Sequence, residues 1–212
     1  MLLAVVLLYV GAVLGVNGIW LIGGARAAAA APAPAAVGEG GGGGDPAPAP
    51  APSAAERSPL FLQGREVAVI NIFTGFVGVV IALILLIQAA VQSNLASARG
   101  GGFILLFAFT YLWVAFNQYI TGSGRAFGWY CLFVAITAIP AGIYTLQTAG
   151  GNPADVWLGL NWFAWAILWA LFFVLLALER PIALFVGWLT LIEGIVTAWA
   201  LGFAVLIGAL SF

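Results

Sequence analysis

The sequence predicts an all-α membrane protein, a bundle of six transmembrane helices. Three observations carry this reading. Of 212 residues, 64% are hydrophobic and only 6% charged. The mean hydropathy is +1.15. And the apolar residues fall into six unbroken runs, each long enough to cross a hydrocarbon core about 30 Å thick, which takes about 20 residues as a helix. A β-barrel would instead show segments of ~10 residues alternating polar and apolar.

The same composition excludes most other classes. A folded surface in water is roughly a quarter charged, and six basic with seven acidic side chains cannot solvate a globule of this size. A net charge of −1 predicts no nucleic-acid partner. The single cysteine, Cys131, excludes an intramolecular disulfide and a cysteine metal cluster. The chain has no histidine, which removes the usual neutral-pH acid–base group and the commonest metal ligand. It also lacks a nucleotide-binding loop, a catalytic triad and a retinal-type lysine. No enzymatic activity, cofactor or metal is expected.

The first run, 2–23, has no Lys or Arg before its apolar core, and that core is about twice the length of a signal-peptide h-region. It reads as a span despite the small residues Ala25, Ala27 and Ala29 beyond it. Residues 24–64 then change character, with Pro46, Pro48, Pro50 and Pro52 alternating with alanine and glycines filling 40–44. Such a segment buries too little to offset its ordering entropy, so it is expected to be a disordered cytoplasmic linker. Five further spans follow within 65–212: 66–91, 103–120, 127–147, 156–178 and 182–210. The loops between them are short, which predicts one compact bundle.

Orientation follows from arginine, since lysine is absent. Arg26, Arg57 and Arg65 flank the first loop, Arg125 lies in the third and Arg180 in the fifth, against Arg99 alone in the second. The positive-inside rule makes the odd loops cytoplasmic and puts both termini outside.

Polar groups at membrane depth are costly and so are the first functional suspects. Glu193 is the clear ionisable residue deep in a span, and Asn17 is the other notable buried polar side chain. Either an interhelical hydrogen bond or a water-accessible path would account for both. Trp162, Trp165 and Trp169 are spaced by three and four residues, which puts three indoles on one helical face. Phe107 and Tyr111 repeat the spacing in the third span, and Leu7, Val10, Leu14 and Asn17 share a face of the first. A conduit walled by rings and aliphatics suits a small planar neutral solute, whose hydration aromatic faces and NH or OH groups replace in part, but not an ion. Helix packing alone would give the same spacing, so both readings stay open at this level. Gly11 with Gly15, and Gly75 with Gly78, predict close helix approach and oligomer contacts.

Five strings then point to a family: LLYVGAVLGVNGIW (7–20), LLFAFTYLW (105–113), WYCLFVAITAIPAGI (129–143), NWFAWAILW (161–169) and IEGIVTAW (192–199). In this order they resemble the urea-channel and amide-transporter family of the AmiS/UreI type. The resemblance covers nearly all of the membrane part and fades in 66–91. It implies a pore through each protomer, a homo-oligomer in the form of a hexameric ring with lipid at its centre, and residence in the bacterial inner membrane. Urea or short-chain amides would pass passively toward a cytoplasmic urease or amidase. It also implies a pore wall of Leu7, Val10, Leu14, Phe107, Tyr111, Trp162, Trp165, Leu168 and Trp169, with Asn17 and Glu193 at the polar points. The acid-gated members carry histidine and carboxylate clusters in their outer loops. Here those loops, 92–102 and 148–155, hold no histidine and only Asp155 as an acid, so no acid gate is expected. A proton-coupled transporter using Glu193 is the alternative, though it offers the proton no Lys, Arg or His partner within the membrane.

Overall fold

The computed structural model describes residues 1–31, 54 and 57–212. Among them six helices are long and apolar enough to span a membrane, and none of the described residues forms a strand. They are α1 (Leu2–Ala30), α2 (Gly64–Gln92), α3 (Leu95–Phe116), α4 (Arg125–Thr148), α5 (Pro153–Leu176) and a composite sixth span, Ala183–Leu206. The sixth consists of α6 (Ala183–Glu193), a π-helical turn (Gly194–Trp199) and α7 (Ala200–Leu206).

Helix ends differ from the expected spans wherever local chemistry favours another boundary. α1 continues to Ala30 because the residues after the apolar run are mostly alanine, the strongest helix former. The far end of the expected linker also has structure, for the Leu60 carbonyl lies against Gly23 of α1. Gln63 and Glu66 then form a capping box that starts α2. Most of the linker lies outside the described residues. α3 starts eight residues before the expected span because Asn94 Oδ1 accepts from the Ala96 and Ser97 amides at 2.9 and 3.2 Å. Asn152 caps α5 in the same way, with Pro153 at the first helical position.

The six spans pack as three pairs: α2 on α3, α4 on α5, and α1 on the sixth span. The first-span pairing depends on glycine, though not as the expected motif has it. A Cβ on Gly11 would lie 2.6 Å from Trp199 Cβ, whereas one on Gly15 would meet nothing within 4 Å. Gly194 answers from the other side, where a Cβ would come 2.8 Å from Leu14 Cβ. Gly75 and Gly78 likewise face α3 within the chain, against Leu112 and Ala108, and so are spent on packing inside the protomer.

The second, fourth and sixth spans carry large exposed apolar side chains, among them Phe76, Ile87, Phe133, Ile136, Phe185 and Ile192. A soluble protein would not leave so much apolar surface in water; on a membrane span such faces suit lipid or a neighbouring apolar surface. At the end of the bundle that holds most of the arginines, Arg125 Nε lies 2.9 Å from Glu179 Oε1. The hydrogen bond and the charge of Arg125 hold the Glu179 carboxyl below its ordinary range. Its contribution is therefore present above the ordinary carboxylate pKa and is lost as pH falls through the lowered one. Both side chains are more than half exposed, so solvent screens the pair strongly.

Candidate functional site

A cavity of about 430 Å³ opens between the three helix pairs. α1, α3 and α5, one helix from each pair, build most of its wall, and α2 and α4 add Leu85 and, at one end, Tyr144, Thr145 and Thr148. Leu7, Val10, Leu14, Phe107, Tyr111, Trp162, Trp165, Leu168 and Trp169 all line it, which brings nine sequence-predicted residues from three helices together. Phe107 is the hub of the aromatic wall. Its ring centroid lies 5.3 Å from Trp162, 5.3 Å from Trp165 and 6.1 Å from Trp169. Trp162 and Trp165 meet edge to face at 5.4 Å, a favoured arrangement of ring quadrupoles.

Asn17 and Glu193 stand elsewhere. Asn17 lines a second, smaller cavity of about 30 Å³ together with Trp20, Leu21, Val114 and Phe172. Its amide is also committed between two of the helix pairs, from α1 to α2. Asn17 Nδ2 donates to Asn71 Oδ1 at 3.1 Å, and Asn71 Nδ2 donates to Asn17 Oδ1 at 2.8 Å. Such interhelical bonds within a membrane average about 0.6 kcal/mol. Asn71 is fully buried in a span read as uniformly apolar, and its pairing with Asn17 needs the fold to be seen. Glu193 is buried and lines neither cavity. Its Oε2 is the one buried side-chain oxygen or nitrogen without a hydrogen-bond partner among the described residues.

Leu14, Tyr111 and Trp169 belong to the walls of both cavities and stand between them. At the opposite end the large cavity has a polar mouth that sequence reasoning missed, made by Arg99, Tyr144, Thr145, Thr148 and Asp155. The Arg99 guanidinium lies 3.9 Å from the Tyr144 ring centroid, within cation–π range. Helical spacing on α4 could have flagged Thr145 and Thr148, which lie three residues apart. The meeting of α3, α4 and α5 ends has no such signal.

Because Phe107 touches all three indoles, Phe107→Ala is expected to loosen the wall and lower the preference for acetamide over glycerol. Stopped-flow swelling of proteoliposomes in gradients of the two solutes reads this ratio directly, and an unchanged ratio would make the ring cluster mere packing.

An apolar six-span bundle around one large, ring-walled cavity with a polar mouth defines a membrane transport protein, multi-pass and built to handle small uncharged solutes. The chain belongs to the AmiS/UreI family of transporters, whose family model matches residues 61–209. Its relatives include the acid-activated urea channel of Helicobacter pylori, 33% identical over 64% of this chain and 80% of that protein. An amidate substrates transporter protein of Mycolicibacterium smegmatis is 34% identical over 69% of this chain and 67% of the relative. The crystal structure of the urea channel from the human gastric pathogen Helicobacter pylori superposes with a TM-score of 0.73 at 29% identity, covering 100% of both chains.

Proposed function

We propose that the protein is a passive channel for urea and short-chain aliphatic amides such as acetamide and formamide. It resides in the bacterial inner membrane with both ends of the chain outside, and works beside a cytoplasmic urease or amidase that consumes the solute. The observation that carries this reading is the 430 Å³ cavity, whose wall is aromatic and aliphatic from Leu7 to Trp169 and whose charged groups are confined to the mouth. A planar neutral amide exchanges part of its hydration for ring faces there. An ion would find nothing to replace its shell. Each protomer holds its own pathway, since one chain supplies the whole wall. The exposed apolar faces of the even-numbered spans fit a homo-oligomer, a hexamer in the family's form, with lipid against the rest.

The position of Glu193 favours passive flux over proton coupling. A coupling carboxylate has to meet the solute path, and Glu193 lines neither cavity. In reconstituted vesicles the expected result is urea and acetamide flux well above protein-free liposomes, unaltered by an imposed proton gradient. Uphill accumulation driven by that gradient would overturn the channel reading in favour of a symporter.

Permeation is also expected to vary less than about twofold as external pH is stepped from 8 to 5. No side chain in the sequence has an ordinary pKa inside that window, because histidine is absent. Asp155 is the one carboxylate at the cavity mouth. A several-fold rise in flux on acidification, measured at fixed internal pH, would contradict this.

A further inference from the structure

The sixth span breaks its α-helical pattern at Gly194–Trp199, where a π-helical turn replaces it. Such turns cost regular hydrogen bonding and are frequent at functional sites. At membrane depth every backbone group the turn releases has to find a partner inside the protein. Here the partners come from one face of α5 and from the Thr197 hydroxyl of the span itself. Asn161 Nδ2 donates to the Thr197 carbonyl at 2.6 Å, and four residues on, Trp165 Nε1 donates to Thr197 Oγ1 at 2.8 Å. The Thr197 hydroxyl in turn donates to the Glu193 carbonyl at 2.6 Å. That hydroxyl thus both donates and accepts, and the bond it donates fixes its direction.

The consequence falls on the cavity. Trp165 is the middle ring of the ladder and lines the wall. An indole held by ring contacts alone has freedom to swing about its side-chain torsions. One whose N–H is anchored to an oriented hydroxyl does not. With the N–H turned into the protein, Trp165 offers the passing solute only aromatic surface. Charged groups stand at the mouth, Arg99 and Asp155, and the Tyr111 hydroxyl stands at the other end.

We infer that Thr197, which lies outside the cavity wall, is a positioning residue for solute selectivity, fixing the Trp165 ring through the π-helical turn so that the mid-cavity passage keeps a set width. This rests on the cavity being the permeation path. A sieve of fixed width passes flat amides and hinders bulkier, heavily hydroxylated solutes. Release of the ring should relax that discrimination.

The test measures acetamide and glycerol permeabilities of the full chain in proteoliposomes. Thr197→Val keeps the side-chain shape and removes the hydroxyl, and it should raise the glycerol-to-acetamide ratio several-fold. Thr197→Ser keeps the hydroxyl and should hold the ratio near wild type, a rescue that a merely structural role would not require. Trp165→Phe removes the N–H from the other side of the same bond and should raise the ratio by itself. Adding Thr197→Val to Trp165→Phe should then change it little further. If Thr197→Val does not yield folded protein, Trp165→Phe with and without Thr197→Ser reads the same contact. A wild-type ratio in Thr197→Val or in Trp165→Phe overturns the inference, as does an equal effect of Thr197→Val in both backgrounds. Wild-type protein that passes acetamide no faster than empty vesicles overturns the channel reading itself and this role with it.

Discussion

Leu14→Trp is expected to cut urea and acetamide permeability about tenfold or more, equivalent to at least about 1.4 kcal/mol on the barrier. Leu14 stands with Tyr111 and Trp169 between the large cavity and the small one, so a solute following the proposed pathway has to pass those three side chains. The space beyond them is about 30 Å³, close to one water's share of liquid volume. An indole in place of the Leu14 side chain fills that passage. Leu14→Ala should act in the opposite sense and speed both solutes. Size-exclusion profiles of both variants separate a blocked channel from a misfolded one. A folded Leu14→Trp protein with wild-type flux would place the pathway somewhere other than between these cavities.

The parts of this site that were legible in the sequence are those where one helix carries the whole pattern. Trp162, Trp165 and Trp169 sit at three- and four-residue spacing, and the helix alone puts them on one face. Phe107 with Tyr111, and Leu7, Val10 and Leu14, are legible for the same reason, and all of them reach the cavity. Cost at membrane depth singles out a polar residue but does not say what it meets. It singles out Asn17, which is bonded to Asn71 of the neighbouring span, and Glu193, which stands off both cavity walls. The polar mouth was out of reach for a different reason. Arg99, Thr145 and Asp155 belong to three helices whose ends meet only in the folded bundle. The π-helical turn has no periodic signature, since IEGIVTAW reads as an uninterrupted helix until the partners of Thr197 on α5 are known.

Gly11→Ala and Gly15→Ala should affect stability in opposite directions, although the two glycines form one GxxxG motif. A Cβ on Gly11 would lie 2.6 Å from Trp199 Cβ, 2.7 Å from the Trp199 amide nitrogen and 2.8 Å from its Cα. Two of those atoms are backbone within the π-helical turn, so the new methyl cannot be relieved by a rotamer change. The helices would have to separate, loosening the pairing that sets Leu14 against Gly194 and Thr197 against α5. Overpacking of this kind typically costs about 1–3 kcal/mol. Gly15 meets nothing within 4 Å. Alanine there brings only its better helix propensity, worth roughly 0.5–1 kcal/mol over glycine in a helix interior. Thermal melts of the detergent-solubilised protein followed by size exclusion should show a lower midpoint for Gly11→Ala and an equal or higher one for Gly15→Ala. If Gly15→Ala were the more damaging, that face of α1 would pack against another protomer, and the oligomer would depend on it.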